Sequence, residues 1–137
     1  MMSTTDFGCL TISAGEGKYE RQQSAGGPNY VYTVAIKSGD TKAVRRFTFH
    51  DSQHRYSQGI RTLSADDLMS AFACFVSDAQ AGDLTFREFA GEFGYDDDSH
   101  SARQIHKDCK AALVKFRALY SDGRDVYDVL ETLEQWR

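Results

Sequence analysis

Apolar positions along this chain change their period near residue 64, from alternation to steps of three and four. Upstream, Tyr30-Val31-Tyr32-Thr33-Val34-Ala35-Ile36 is dense in β-branched and aromatic residues, Ser38-Gly39-Asp40 interrupts it, and an extended pattern resumes from Val44 to His50. Two such runs joined by a glycine turn predict a β-hairpin over residues 30–50. In the second run Arg45, Phe47 and Phe49 alternate with Val44, Arg46, Thr48 and His50. Phe47 and Phe49 are therefore expected to enter the core, with the opposite face basic and wet. Residues 1–28 are rich in Gly, Ser and Thr and close on the single proline, Pro28. They read as loop with short strands about residues 7–12 and 18–22. Residues 50–61 are polar and read as a loop.

Downstream, Ser64 is a good N-cap, Asp66 and Asp67 suit the positive end of a helix dipole, and Leu68, Phe72, Phe75, Val76 and Ala79 recur at helical spacing. This predicts a helix over 65–80 that stops at Gly82. Thr85 and Glu88 have the spacing of a capping box for a short second helix, with Phe86, Phe89 and Phe93 on one face and Gly94 as a left-handed terminator. Asp98 or Ser99 caps a third helix whose stripe is Ala102, Ile105, Cys109, Ala112, Leu113, Phe116 and Leu119. Ser121-Asp122-Gly123 makes a turn, and Val126, Val129, Leu130, Leu133 and Trp136 define a last helix. The predicted architecture is α+β: one domain of 137 residues in which an N-terminal antiparallel sheet packs against about four C-terminal helices.

Composition agrees with a packed core, since 41% hydrophobic residues and 12% aromatics are too many for a disordered tail. The apolar runs are short and MMSTTDFGCL lacks a basic start and a long greasy segment, so neither a signal peptide nor a membrane span is expected, and a cytoplasmic location follows. Cys9, Cys74 and Cys109 are scattered without CxxC spacing. Cys74 lies in an apolar helical pattern, where a buried, reduced thiol is expected.

Charge is divided unevenly. Residues 1–63 hold five acids and eight bases, or +3; residues 64–137 hold fifteen acids and eight bases, or -7, which together give the net charge of -4. Such asymmetry bears on partners and solubility rather than on fold.

Candidate chemistry is sparse. Residues 77–88 imitate an EF-hand loop at Gly82, Leu84, Thr85 and Glu88, but Ser77, Ala79 and Ala81 stand where three leading oxygen ligands are required, so calcium is not expected. His50 and His54 have helical spacing in a strand-and-loop context and lack a third ligand, so no metal or other cofactor is implied. Cys109 beside His106 has nucleophile–base spacing, yet a thiol on the buried stripe is desolvated and unreactive. Enzymatic activity is not expected. Arg45 and Arg46 with Tyr30 and Tyr32, joined by Arg55 and Arg61, offer the alternative of a basic nucleic-acid surface, against which the acidic total weighs. Tyr30, Tyr32 and Trp136 are also candidates for a dimer face. The run Asp96-Asp97-Asp98 exceeds what helix capping needs. With Glu92, Glu88, Asp83 and Asp108 it forms the candidate partner-binding surface, an acidic patch able to steer toward a basic protein.

The pattern Phe86-x-x-Phe89-x-x-Glu92-Phe93-Gly94-Tyr95-Asp96-x-Asp98-Ser99-x-x-Ala102-x-x-Ile105, with Asp66, Leu68 and Ser77-Asp78 upstream, resembles a group of small proteins encoded by bacteriophages and other mobile elements. The resemblance covers the second half of the chain and brings no catalytic residues with it. It implies a phage accessory protein acting inside the host bacterial cell, comparable to anti-CRISPR proteins that bind and block Cas effector complexes, with no direct nucleic-acid contact and no membrane.

Overall fold

The computed structural model describes residues 2–20, 29–50 and 62–136. The chain forms five strands and then four helices, an α+β arrangement, in two compact units, Met1–Phe72 and Ala73–Arg137. The boundary falls inside the first helix. Among the described residues, no helix is long and apolar enough to cross a membrane.

In the first unit, β1 (Ser3–Phe7), β2 (Leu10–Ala14), β3 (Lys18–Glu20), β4 (Asn29–Ser38) and β5 (Thr41–His50) make one antiparallel sheet. β5 pairs with the whole length of β4 in a hairpin turned at Gly39, whose φ of 58° is the left-handed conformation that favours glycine. β2 pairs with Val34 to Lys37 and β3 with Asn29 to Val31, so the two share the opposite edge of β4 end to end. Between them Gly17 passes over the ring of Tyr32, where a Cβ would come within 2.5 Å of the ring carbon Cζ. The expected strand over 7–12 is instead a turn at Gly8 and Cys9 flanked by β1 and β2. Gly8 at φ 59° supplies the turn that separates the two alternating runs.

One sheet face is apolar. Ile12 and Ile36 are cross-strand partners, as are Ala14 and Val34, and all four are buried. In β5, Ala43 is buried and Arg45 and Phe47 are half-buried, while Val44, Arg46 and Thr48 are exposed, as the alternation predicts. Phe49 and His50 close β5, and their side chains lie outside the described set. Phe7, the cross-strand partner of the buried Leu10, meets Phe72 of the first helix at 5.3 Å between ring centroids.

α1 (Ala65–Gly82) begins at a reciprocal cap: Asp67 N–H donates to Ser64 Oγ at 3.2 Å and Ser64 N–H donates to Asp67 Oδ2 at 3.3 Å. Its buried positions include Leu68, Phe72, Phe75, Val76 and Ala79, but Cys74 is exposed, contrary to expectation. At 100° per residue Cys74 points away from the arc of Phe72, Phe75 and Val76 and joins Ser77 on the wet side.

The second unit adds α2 (Phe86–Phe93), α3 (His100–Leu119) and α4 (Val126–Trp136). The expected cap of α2 is present, with Glu88 N–H donating to Thr85 Oγ1 at 3.2 Å and Thr85 N–H donating to Glu88 Oε1 at 3.0 Å. Gly94 ends α2 at φ 75°. Ser99, not Asp98, caps α3, accepting the Ala102 N–H at 3.1 Å. The buried stripe of α3 is Ala102, His106, Cys109, Leu113, Phe116 and Leu119.

Candidate functional site

The structure separates the seven predicted acidic residues into two kinds, although all seven are exposed. Three have local partners. Glu88 is half of the Thr85 capping box, and those hydrogen bonds hold its carboxyl below the usual carboxylate range. Asp83 faces the Arg117 guanidinium at 3.6 Å and accepts from the Tyr127 hydroxyl at 3.5 Å. Asp108 accepts from Gln104 at 3.0 Å along one face of α3.

The other four, Glu92, Asp96, Asp97 and Asp98, sit within a seven-residue stretch formed by the end of α2 and the connection to α3. Local geometry places them on the surface. Gly94 turns the chain out of α2, the Tyr95 N–H returns to the Ala90 carbonyl at 2.8 Å, and the Ser99 N–H donates to the Asp96 carbonyl at 3.1 Å. Ser99 then does the capping, which leaves the three aspartate carboxylates without that task. Among the described residues, Arg103 is the cation that reaches the stretch, and it donates to the backbone carbonyl of Asp97 rather than to a carboxylate.

Aromatic side chains stand among these charges. Phe93 is 55% exposed and Tyr95 39% exposed, and each packs one side on the buried Phe89, Phe93 at 5.0 Å and Tyr95 stacked at 5.7 Å between centroids. Phe86, Phe89 and Phe93 share one face of α2, and of the three only Phe89 is buried. Phe89 takes the central position of a short helix, while Phe93, on its last turn, stays at the rim. Ile105, expected on the buried stripe, is 41% exposed, and its neighbour His106 is buried in its place. His106 packs against Phe86 and Phe89 at 5.7 and 5.0 Å and donates from Nε2 to the Leu84 carbonyl at 2.8 Å. That bond satisfies a carbonyl in the α1–α2 connection, which an isoleucine cannot do. No sequence signal marked this histidine beyond its spacing to Cys109.

The remaining candidates are dispersed. Cys109 is buried against Ala81 and Phe89, in the packing role expected of it. Among the described residues, no group of three or more His, Cys, Asp or Glu side chains converges as a metal site does. Tyr32 is fully buried and offers no dimer face or stacking platform, because it sits on the inner side of β4 beneath Gly17. Arg45 and Arg46 occupy opposite faces of β5. His54, Arg55 and Arg61 lie outside the described residues, as do the side chains of Tyr30, His50 and Trp136.

No protein-family model, curated protein or solved structure matches this chain.

Proposed function

We propose that this protein is a non-enzymatic inhibitor of a bacterial host-defence complex, of the kind formed by Cas effectors. It acts in the host cytoplasm by binding a basic protein surface through the acidic, aromatic connection between α2 and α3. The observation that carries this reading is the placement of Phe93 and Tyr95, half out of the core, among four exposed carboxylates, toward which the one described cation that reaches the stretch, Arg103, offers its hydrogen bond to a backbone carbonyl and not to a carboxylate. Rigid aromatics supply binding energy at the centre of protein interfaces, and surrounding charge sets partner choice and the rate of encounter. Both rings are braced by Phe89, so little conformational freedom is lost on binding. The surplus of negative charge in residues 64–137 and the resemblance to phage-encoded proteins point toward basic, nucleic-acid-handling targets.

The nucleic-acid-binding alternative is weakened by the burial of Tyr32 and by the opposite orientations of Arg45 and Arg46. The test is a DNA-cleavage assay with purified Cas effectors, run with the full chain and with a D96S/D97S/D98S variant. The parent is expected to inhibit at least one effector and the variant to lose that inhibition. Equal inhibition by both removes the acidic surface from the mechanism, and a gel shift of bare DNA or RNA at low salt favours the alternative.

A further inference from the structure

The outer face of the sheet carries two adjacent rows of different character. Strand alternation sets both rows opposite the buried Ile12, Ile36 and Ala43. One row runs across three strands as Thr11, Lys37 and Lys42, with Lys37 the cross-strand partner of both others. Both lysines are exposed, and among the described residues neither is held in an ion pair. The acid at the far end of the row, Asp6, is the partner of Thr11 and accepts its hydroxyl at 3.2 Å. In the next row Ala35 of β4 faces Val44 of β5, and Val44 is 54% exposed.

The sheet does not need this arrangement. Like charges directly opposite each other weaken strand pairing. Lysine on an edge strand guards against unwanted pairing, which accounts for Lys42, since among the described residues β5 pairs with β4 alone. It does not account for Lys37, because β4 is paired on both sides. An anionic partner with apolar surface beside its charge would offset the repulsion and cover Val44. The same chain carries that complement: Glu92, Asp96, Asp97 and Asp98 are exposed around the half-exposed rings of Phe93 and Tyr95. A phosphate backbone answers the lysines less well, because a stacking groove needs rings beside its cations, whereas Tyr32 and Phe47 alternate onto the other face.

We propose that the outer sheet face of one copy receives the α2–α3 connection of a second copy in a head-to-tail contact. The carboxylates meet Lys37 and Lys42, and the rings of Phe93 and Tyr95 cover Val44 and Ala35. Each pair of copies leaves one patch of either kind unused, so the contact repeats beyond a dimer. Self-association then withholds the acidic surface from other partners. The proposal shares the α2–α3 surface with the inhibitor reading, but its test contains no effector, so each can fail without the other.

The test is sedimentation velocity of the full chain over a concentration series at low and at high salt. The parent is expected to form species beyond a dimer at low salt and to associate about tenfold or more weakly at high salt. K37E/K42E and D96K/D97K/D98K should each remain monomeric, and an equimolar mixture of the two should associate again, because every patch then finds the opposite charge. A parent that is monomeric throughout, association that stops at a dimer or ignores salt, variants that associate like the parent, or a mixture that stays monomeric overturns the proposal. A short single-stranded oligonucleotide that shifts the Lys37 and Lys42 amides of a monomeric ¹⁵N-labelled parent assigns the face to nucleic acid instead. The parent series decides the matter even if a variant unfolds.

Discussion

Gly82, the last residue of α1, lies against the backbone of Cys109 in α3: a Cβ at this position would overlap the Cys109 carbonyl and stand 2.9 Å from the Lys110 Cα. Backbone atoms cannot move aside as a flexible side chain can, so the two helices meet here through the absence of a side chain. The position also lets Ala81 pack with Cys109 and Phe89 in the interior of the helical unit.

Gly82→Ala is therefore expected to destabilise the protein by about 1–3 kcal/mol despite the better helix propensity of alanine. Gly91 is a control within α2, because a Cβ there meets nothing within 4 Å. Gly91→Ala should stabilise by about 0.5–1 kcal/mol. Urea denaturation of both variants checks the pair, and equal effects would contradict the close crossing.

Thr85→Ala removes one half of the cap on α2 and should cost about 1 kcal/mol. The other half depends on pH. Thr85 lowers the pKa of Glu88 below its ordinary value of 4.5, so the contribution of this carboxylate is complete above about pH 4.5 and is lost as pH falls through the lowered value. Glu88→Gln should accordingly be less stable than the parent at pH 7 and equal to it near pH 2, as read by denaturation at the two pH values.

Tyr127 titrates above its ordinary value of 10.0, first because it is partly buried and then because Asp83, by charge and hydrogen bond, and next Asp125 and Glu88 oppose the phenolate. The folded state holds this proton longer than the unfolded one, so its contribution to stability is intact below pH 10 and declines as pH rises through the raised value. Ultraviolet titration should show a late phenol absent from Tyr127→Phe and moved to lower pH in Asp83→Asn.

Thiol labelling reads the burial pattern directly. Cys9 and Cys74 are exposed and Cys109 is buried, so two thiols should react with a disulfide reagent in the native protein and the third only on unfolding. One fast thiol instead of two would restore the sequence-based expectation for Cys74.

Local chemistry was the most legible part of the sequence. The capping pair of Thr85 and Glu88, the left-handed Gly94, the Ser64 start and the hairpin with its exposed Arg46 face all follow from short-range rules, and all are present. What escaped depends on neighbours distant in sequence. A periodic pattern cannot tell which member of an apolar arc lies at its edge, and so Cys74 and Ile105 are exposed against expectation. Nor does it show that the Leu84 carbonyl needs a donor, which makes His106 a core residue, or that a crossing chain at Gly17 covers Tyr32. At the candidate surface, the acidic run was evident from composition, whereas the exposed rings of Phe93 and Tyr95 were not.

The most direct test of the proposed function is the affinity of a purified, inhibited Cas effector for the full chain, for D96S/D97S/D98S and for F93A/Y95A, measured at low and at physiological salt. Loss of about tenfold or more is expected in each variant, with a steeper salt dependence for the parent than for the aspartate variant. Parent-like affinity and salt dependence in both variants would contradict the assignment of this surface to partner binding.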